Sequence, residues 1–265
     1  MRNNIADICS KHIKVEGHDV HYFTAGKGDP VVVIHGGGGD ARTWLRNIEE
    51  LSSSYTVYAP DLPGYGNSQP LDGRYYIPEL TDFLDGFSDN LGLERFHLVG
   101  HSLGGGVALN YALHSPHRIK KLVLVSSLCL GGEIAFWVRL ISVPTLLRFL
   151  GAVTLSVFKG IKWVVKKVLK QVEFVIPFSP ASVNIGGSVA TFREQTMILA
   201  DRFAEVLPPT LLVWGAKDGV VPVRQAYAAA KLIPDCQLKI FEKRGHNVYR
   251  DEVTEFSNVV RGFLN

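Results

Sequence analysis

The chain has 265 residues, of which 46% are hydrophobic and 20% charged, a balance that excludes disordered and fibrous classes. Lys plus Arg number 28 against 25 Asp plus Glu, a net charge of +3, too mild for a dedicated nucleic-acid binder. A chain this long can bury a large core, in one large α/β domain or in two domains.

In chain order, IKVEG at 13–17 and DVHYFTAG at 19–26 read as an antiparallel hairpin at a sheet edge. VVVIH at 31–35, TVYAP at 56–60, FHLVG at 96–100 and KLVLVSS at 121–127 are apolar runs without strict polar alternation, the signature of buried parallel strands. Helical patterns at 43–53, 78–91 and 103–114 lie between them, the spacing of right-handed βαβ units in a doubly wound sheet. The rhythm breaks over 128–205, which carries helical patterns and breakers at Pro144, Pro177, Pro180 and Gly186-Gly187. It resumes with strands at 210–215 and 237–241 and helices near 222–232 and 251–263. The expected organisation is a core of 1–127 and 206–265 interrupted by a helical lid at 128–205.

Cys9, Cys129 and Cys236 are odd in number, far apart and in no metal-ligand or CxxC spacing, so the sequence predicts reduced thiols and a cytoplasmic setting. The N-terminal residues lack the apolar stretch of a signal peptide. The uncharged run 174–192 is interrupted by prolines and glycines, so no membrane span is expected there.

The chemistry concentrates at strand ends. Gly100-His101-Ser102-Leu103-Gly104 follows a strand and opens a helix, the context of a nucleophile elbow. With the order Ser…Asp/Glu…His, only His114, His117 and His246 lie downstream of Ser102, and the first two fall at the end of the elbow helix. His246, in a loop after a strand, is the candidate base. Asp218, just past the preceding strand, is the acid that would hold the imidazole's tautomer, although Lys-Asp-Gly also reads as a plain turn. Asp201 falls in the lid, Asp235 before a strand, and Asp251 at the cap of the last helix.

An oxyanion needs backbone donors. Leu103 N–H supplies one, and Gly37, with Gly38 next, is the choice for the second, in the glycine run 36–39 after the first parallel strand. His35 reads as a brace of that loop. A rival reading comes from the same residues: Gly36-x-Gly38-x-x-Ala41 matches a dinucleotide fingerprint, with Asp61 twenty residues beyond Ala41. It leaves Ser102, Asp218 and His246 unexplained.

With HGGGG at 35–39, DLPGYGNS at 61–68, GHSLGG at 100–105, WGAKDGVVP at 214–222 and GHN at 245–247 in order, the whole chain resembles the α/β-hydrolase superfamily, particularly its lid-bearing serine esterases and lipases. The resemblance implies an eight-stranded, mostly parallel sheet, a lid inserted after the sixth strand, a Ser102–His246–Asp218 triad, and no metal or organic cofactor. Haloalkane dehalogenases and epoxide hydrolases of this superfamily use Asp as nucleophile, and here that position is Ser102. Hydrolases of meta-cleavage products, which split carbon–carbon bonds in dienoates, usually carry Asn, Met and Trp where this chain has His101, Leu103 and Asn247. Carbon–carbon hydrolysis therefore stands as the alternative, with a receptor-like binder as a lesser one.

The expected substrate is a small hydrophobic carboxylic ester, because Phe136, Trp137, Leu146, Leu147, Phe149, Leu150 and Phe158 crowd the lid. Phe136, Trp137, Leu146, Phe149 and His101 are the candidate pocket residues. From 128 to 176 seven basic residues face only Glu133 and Glu173. In the lid segment 161–172, Ile161, Val164, Val165, Val168, Leu169 and Val172 share one helical face, opposite Lys162, Lys166, Lys167 and Lys170. That face either roofs the site or makes peripheral contact with a membrane surface.

Overall fold

The computed structural model describes residues 7–71, 76–141 and 194–265. Its strands are β1 (Cys9–Val15), β2 (His18–Ala25), β3 (Asp29–Ile34), β4 (Tyr55–Pro60), β5 (Phe96–His101), β6 (Ile119–Val125), β7 (Thr210–Gly215) and β8 (Cys236–Phe241). They form one sheet in the order β1-β2-β4-β3-β5-β6-β7-β8. The β1–β2 and β2–β4 pairings are antiparallel and the rest are parallel. This is the expected eight-stranded, mostly parallel sheet.

The central strands read as continuous apolar runs because both of their faces are covered. Val32, Ile34, Leu98, Leu124 and Trp214 pack on one side with α2 (Ile77–Asn90) and α3 (Leu103–His114). Val31, Val33, Val99, Val123 and Val213 pack on the other with α1 (Leu45–Leu51) and a C-terminal helix, Val253–Leu264. That last helix buries Val253, Phe256, Val260 and Leu264, one stripe at helical spacing. Connections from β3 run outward through α1 to β4 and then cross back through α2 to β5. The carboxyl ends of β3 and β5 therefore flank the topological switch point, where open α/β sheets form their crevice.

Several boundaries differ from the sequence reading. The first hairpin strand runs over Cys9–Val15 rather than 13–17, because an edge strand with exposed Ser10, Lys11 and Lys14 shows little apolar periodicity. The helix expected at 43–53 starts as a 3-10 turn at Ala41–Trp44, where the Asp40 side chain accepts from Arg42 N–H. The one at 222–232 shortens to α5 (Arg224–Ala229), α4 being Phe136–Ile141. Asp251 does not cap the last helix: it ends α6 (Val248–Asp251), and Glu252 precedes α7 (Val253–Leu264).

Residues 142–193 lie outside the described residues, and with them Leu146, Phe149 and the basic segment 161–172. The flanks of that stretch are stitched together at its base. Leu199 N–H donates to Cys129 O at 2.9 Å, Gln195 N–H to Gly132 O at 2.9 Å, and Cys129 N–H to Gln195 Oε1 at 2.7 Å. Leu128, Cys129, Leu130, Ile134, Leu199 and Phe203 are buried in the α2–α3 side of the core. Among the described residues no helix is long and apolar enough to cross a membrane.

Candidate active site

Ser102 follows β5 at φ +53° and ψ −113°, a backbone region that a side chain other than glycine rarely occupies. The turn is held from both sides: Ser102 N–H donates to Val125 O at 2.9 Å, while Ser102 O accepts from Leu128 N–H at 3.0 Å and Gly106 N–H at 3.1 Å. The flanking glycines are required by contact. A Cβ on Gly100 would lie 2.2 Å from Gly104 O, and one on Gly104 2.6 Å from the carbonyls of Ile34 and His35. Only Gly-x-Ser-x-Gly lets strand, turn and helix approach this closely. Ser102 therefore sits in a sharp, over-determined turn at the mouth of the switch point.

The β7 and β8 loops bring the acid to the base. Asp218 Oδ1 accepts from Val220 N–H at 2.8 Å and Val221 N–H at 2.9 Å, which aims the carboxylate. His246 Nδ1 donates to Asp218 Oδ2 at 2.9 Å and Oδ1 at 3.1 Å. The Asp218 side chain is fully buried and the His246 side chain 15% exposed, so this contact is shielded while the imidazole keeps a path to solvent. A carboxylate can only accept, so the proton sits on Nδ1 and leaves Nε2 free as a base. Lys217 N–H bonded to Arg244 O at 2.9 Å ties the two loops together.

The glycine run beside β3 completes the surround. A Cβ on Gly36 would lie 3.2 Å from Ser102 Cβ, and one on Gly37 3.5 Å from Leu103 Cδ2. Gly37 thus stands next to the residue that opens α3, whose N–H is a first-turn donor without an intrahelical acceptor. Gly38 is exposed, with nothing within 4 Å of a Cβ placed on it. His35 braces the loop: Nδ1 donates to Gly36 O at 2.9 Å and Nε2 accepts Leu62 N–H at 2.9 Å. Burial holds its pKa below the ordinary histidine range, in keeping with a neutral ring.

The surroundings of two expected pocket residues are also described. His101 is held by its neighbours. It is buried behind His246, its Nε2 donating to His246 O at 3.0 Å and its ring packed on His246 and Tyr249. A Cβ on Gly36 would lie 2.7 Å from its Nδ1, so the ring abuts the glycine loop, and burial depresses its pKa strongly. Phe136, at the start of α4, is 65% exposed. Trp137 lies in α4 next to it.

Tyr65 was not among the candidates. Its ring is buried edge-on to His35, and its hydroxyl has no hydrogen-bond partner among the described residues. A Cβ on Gly37 would lie 3.6 Å from that oxygen. Burial raises its pKa, so the hydroxyl stays protonated and can donate. Nothing in DLPGYGNS marks this tyrosine in advance, because the orphaned donor is a product of packing.

Asp61, the carboxylate that a dinucleotide site would offer to a ribose, is committed elsewhere. It is buried, and accepts from Ala41 N–H at 2.7 Å, Asn67 N–H at 2.9 Å and His21 Nδ1 at 2.8 Å. Among the described residues no group of three His, Cys, Asp or Glu is placed to hold a metal ion.

A model of the alpha/beta hydrolase fold family matches residues 29–150. An uncharacterised protein of Mycobacterium tuberculosis is 32% identical, covering 94% of this chain and 79% of its own length. The 2-hydroxy-6-oxononadienedioate/2-hydroxy-6-oxononatrienedioate hydrolase 2 of Pseudomonas putida is 30% identical, covering 92% of this chain and 91% of its own. Among solved structures, a meta-cleavage product hydrolase from Pseudomonas fluorescens IP01 superposes with a TM-score of 0.70 at 26% identity, over 96% of this chain and 97% of that one.

Proposed function

Because the chain belongs to the α/β-hydrolase family, we propose that it is a serine hydrolase that cleaves carboxylic esters with hydrophobic acyl or alcohol groups through an acyl-enzyme. One observation carries the reading: a buried Asp218 carboxylate fixes the tautomer of His246, whose ring packs on His101, the residue next to a serine held in a strained elbow at the end of β5. In this mechanism His246 Nε2 takes the Ser102 proton as Oγ attacks the carbonyl carbon, and the alkoxide leaves with that proton. Water then repeats the sequence on the acyl-enzyme. The N–H groups of Leu103 and Gly37 receive the oxyanion, and the unpartnered Tyr65 hydroxyl is a third donor beside them.

The preference for hydrophobic groups rests on the apolar residues from Phe136 to Phe158 in the sequence. The test is initial hydrolysis of p-nitrophenyl esters from acetyl to palmitoyl, with Ser102→Ala as the blank. A Ser102-dependent optimum at any chain length supports ester hydrolysis, and its position reports the length of the acyl site.

A second reading, hydrolysis of a carbon–carbon bond in a dienoate, is favoured by the named activities of the Pseudomonas relatives. It would use the same serine and histidine on a ketone carbonyl. Negligible ester turnover beside Ser102-dependent bleaching of a 2-hydroxy-6-oxo-dienoate would select it.

A further inference from the structure

At the β1 edge of the sheet the chain builds a second serine–histidine–aspartate line. Asp61 is buried and already accepts two backbone N–H groups, from Ala41 and Asn67. It also binds His21 Nδ1 at 2.8 Å, and His21 and Asp61 side chains are each 2% exposed. A carboxylate acceptor puts the proton of neutral His21 on Nδ1, so Nε2 presents a lone pair. That nitrogen lies 2.8 Å from Ser10 Oγ. The serine hydroxyl is then the donor, and Ser10 itself is exposed on edge strand β1. Nucleophile, base and orienting acid are thus connected atom to atom in the order that activates a serine.

The ring is fixed from the sides as well. His21 meets Phe23 edge-on with centroids 4.7 Å apart, and His12, bonded to Asp19, lies 5.2 Å away. A buried histidine that cannot turn holds its lone pair on one target, here the hydroxyl of an exposed residue on the edge strand.

We propose that Ser10 is a second nucleophilic serine, activated by His21 and Asp61 to accept an acyl group from small activated esters. The Ser10 Oγ–acyl carbon bond forms and the carbonyl carbon–aryloxide bond breaks. The Oγ proton passes to His21 Nε2 and then to the departing aryloxide or to water. Ser10 sits within a strand rather than at a helix N-terminus, so it lacks the first-turn N–H donors that stand behind Ser102. Without them the expected chemistry is one transfer per chain followed by slow release, not turnover.

The experiment uses the full chain carrying Ser102→Ala, so that its outcome does not depend on the proposed function of Ser102. The variant is treated with p-nitrophenyl acetate at pH 8 and digested for mass mapping. The expected result is a burst of p-nitrophenolate near one equivalent and acetyl on Ser10, formed at least about 100-fold faster than on the exposed reference Ser53, the lower range of general-base assistance. Adding Ser10→Ala abolishes the burst. Adding His21→Asn, which keeps a donor toward Asp61 but removes the base, slows acetylation of Ser10 by a similar factor. An unmodified Ser10, or one modified no faster than Ser53, overturns the proposal. That comparison within one chain decides the matter even if the His21 variant fails to fold.

Discussion

Among the described residues two buried Asp–His pairs are set against a serine, Asp218–His246 serving Ser102 in our reading and Asp61–His21 serving Ser10, and they differ in what surrounds the serine. Ser102 follows a central strand, precedes α3 and faces Gly36 across the switch point. Ser10 lies in the edge strand, with a base in hydrogen-bond contact but no helix start behind it. An Asp–His pair supplies a proton acceptor wherever packing can bury it. Donors for a developing oxyanion come only where a strand end, a glycine loop and a helix N-terminus converge. Turnover is therefore expected at one site and a single acylation at the other.

The largest test of that contrast is Ser102→Ala. It should lower ester turnover by about 10⁴-fold or more, while leaving the fold intact because the side chain is small and lies at the crevice. Thermal unfolding checks the fold, and steady-state rates check the chemistry. Turnover that survived this change and vanished with Ser10→Ala would invert the assignment of the two serines.

Next in size is Asp218→Asn. Val220 and Val221 N–H would keep the amide oxygen, leaving the NH₂ group facing His246 Nδ1. The imidazole must then present a lone pair on Nδ1 and a proton on Nε2, the wrong tautomer for a base. The expected loss in kcat is up to about 10⁴-fold with little change in KM. Stability should change little, since the oxygen still accepts both backbone donors. A loss below tenfold would move the acid to another residue.

How far the sequence alone leads follows the same contrast. The elbow, the Asp218 and His246 loops and the central strands are legible because backbone geometry constrains them locally: Gly100 and Gly104 admit no Cβ, and doubly covered strands must be apolar throughout. The second line of residues was hidden, because Ser10, His21 and Asp61 lie on three segments joined only by sheet pairing and a loop. The edge strand itself was half missed, its exposed face carrying Ser10 and Lys14 in place of an apolar pattern. For His101 the sequence marks only a place beside Ser102, and the packing of its ring on His246 and Tyr249 is a product of the fold.

Tyr65 gives the smallest and most discriminating test, because it separates a structural hydroxyl from a functional one. A hydroxyl that stabilised the fold would have a protein acceptor, and its removal would cost about 0.5–1.5 kcal/mol. The Tyr65 hydroxyl is buried without one among the described residues, so Tyr65→Phe should leave the melting temperature unchanged or raise it. If the oxygen donates to the oxyanion beside Gly37, the same variant should lose about 10-fold to 100-fold in kcat, below the 10²–10³ of a primary donor, with KM nearly constant. The split between stability and kcat is the diagnostic. A drop in melting temperature with unchanged kcat would make Tyr65 a brace for the His35 loop, and the oxyanion would then be held by backbone groups alone.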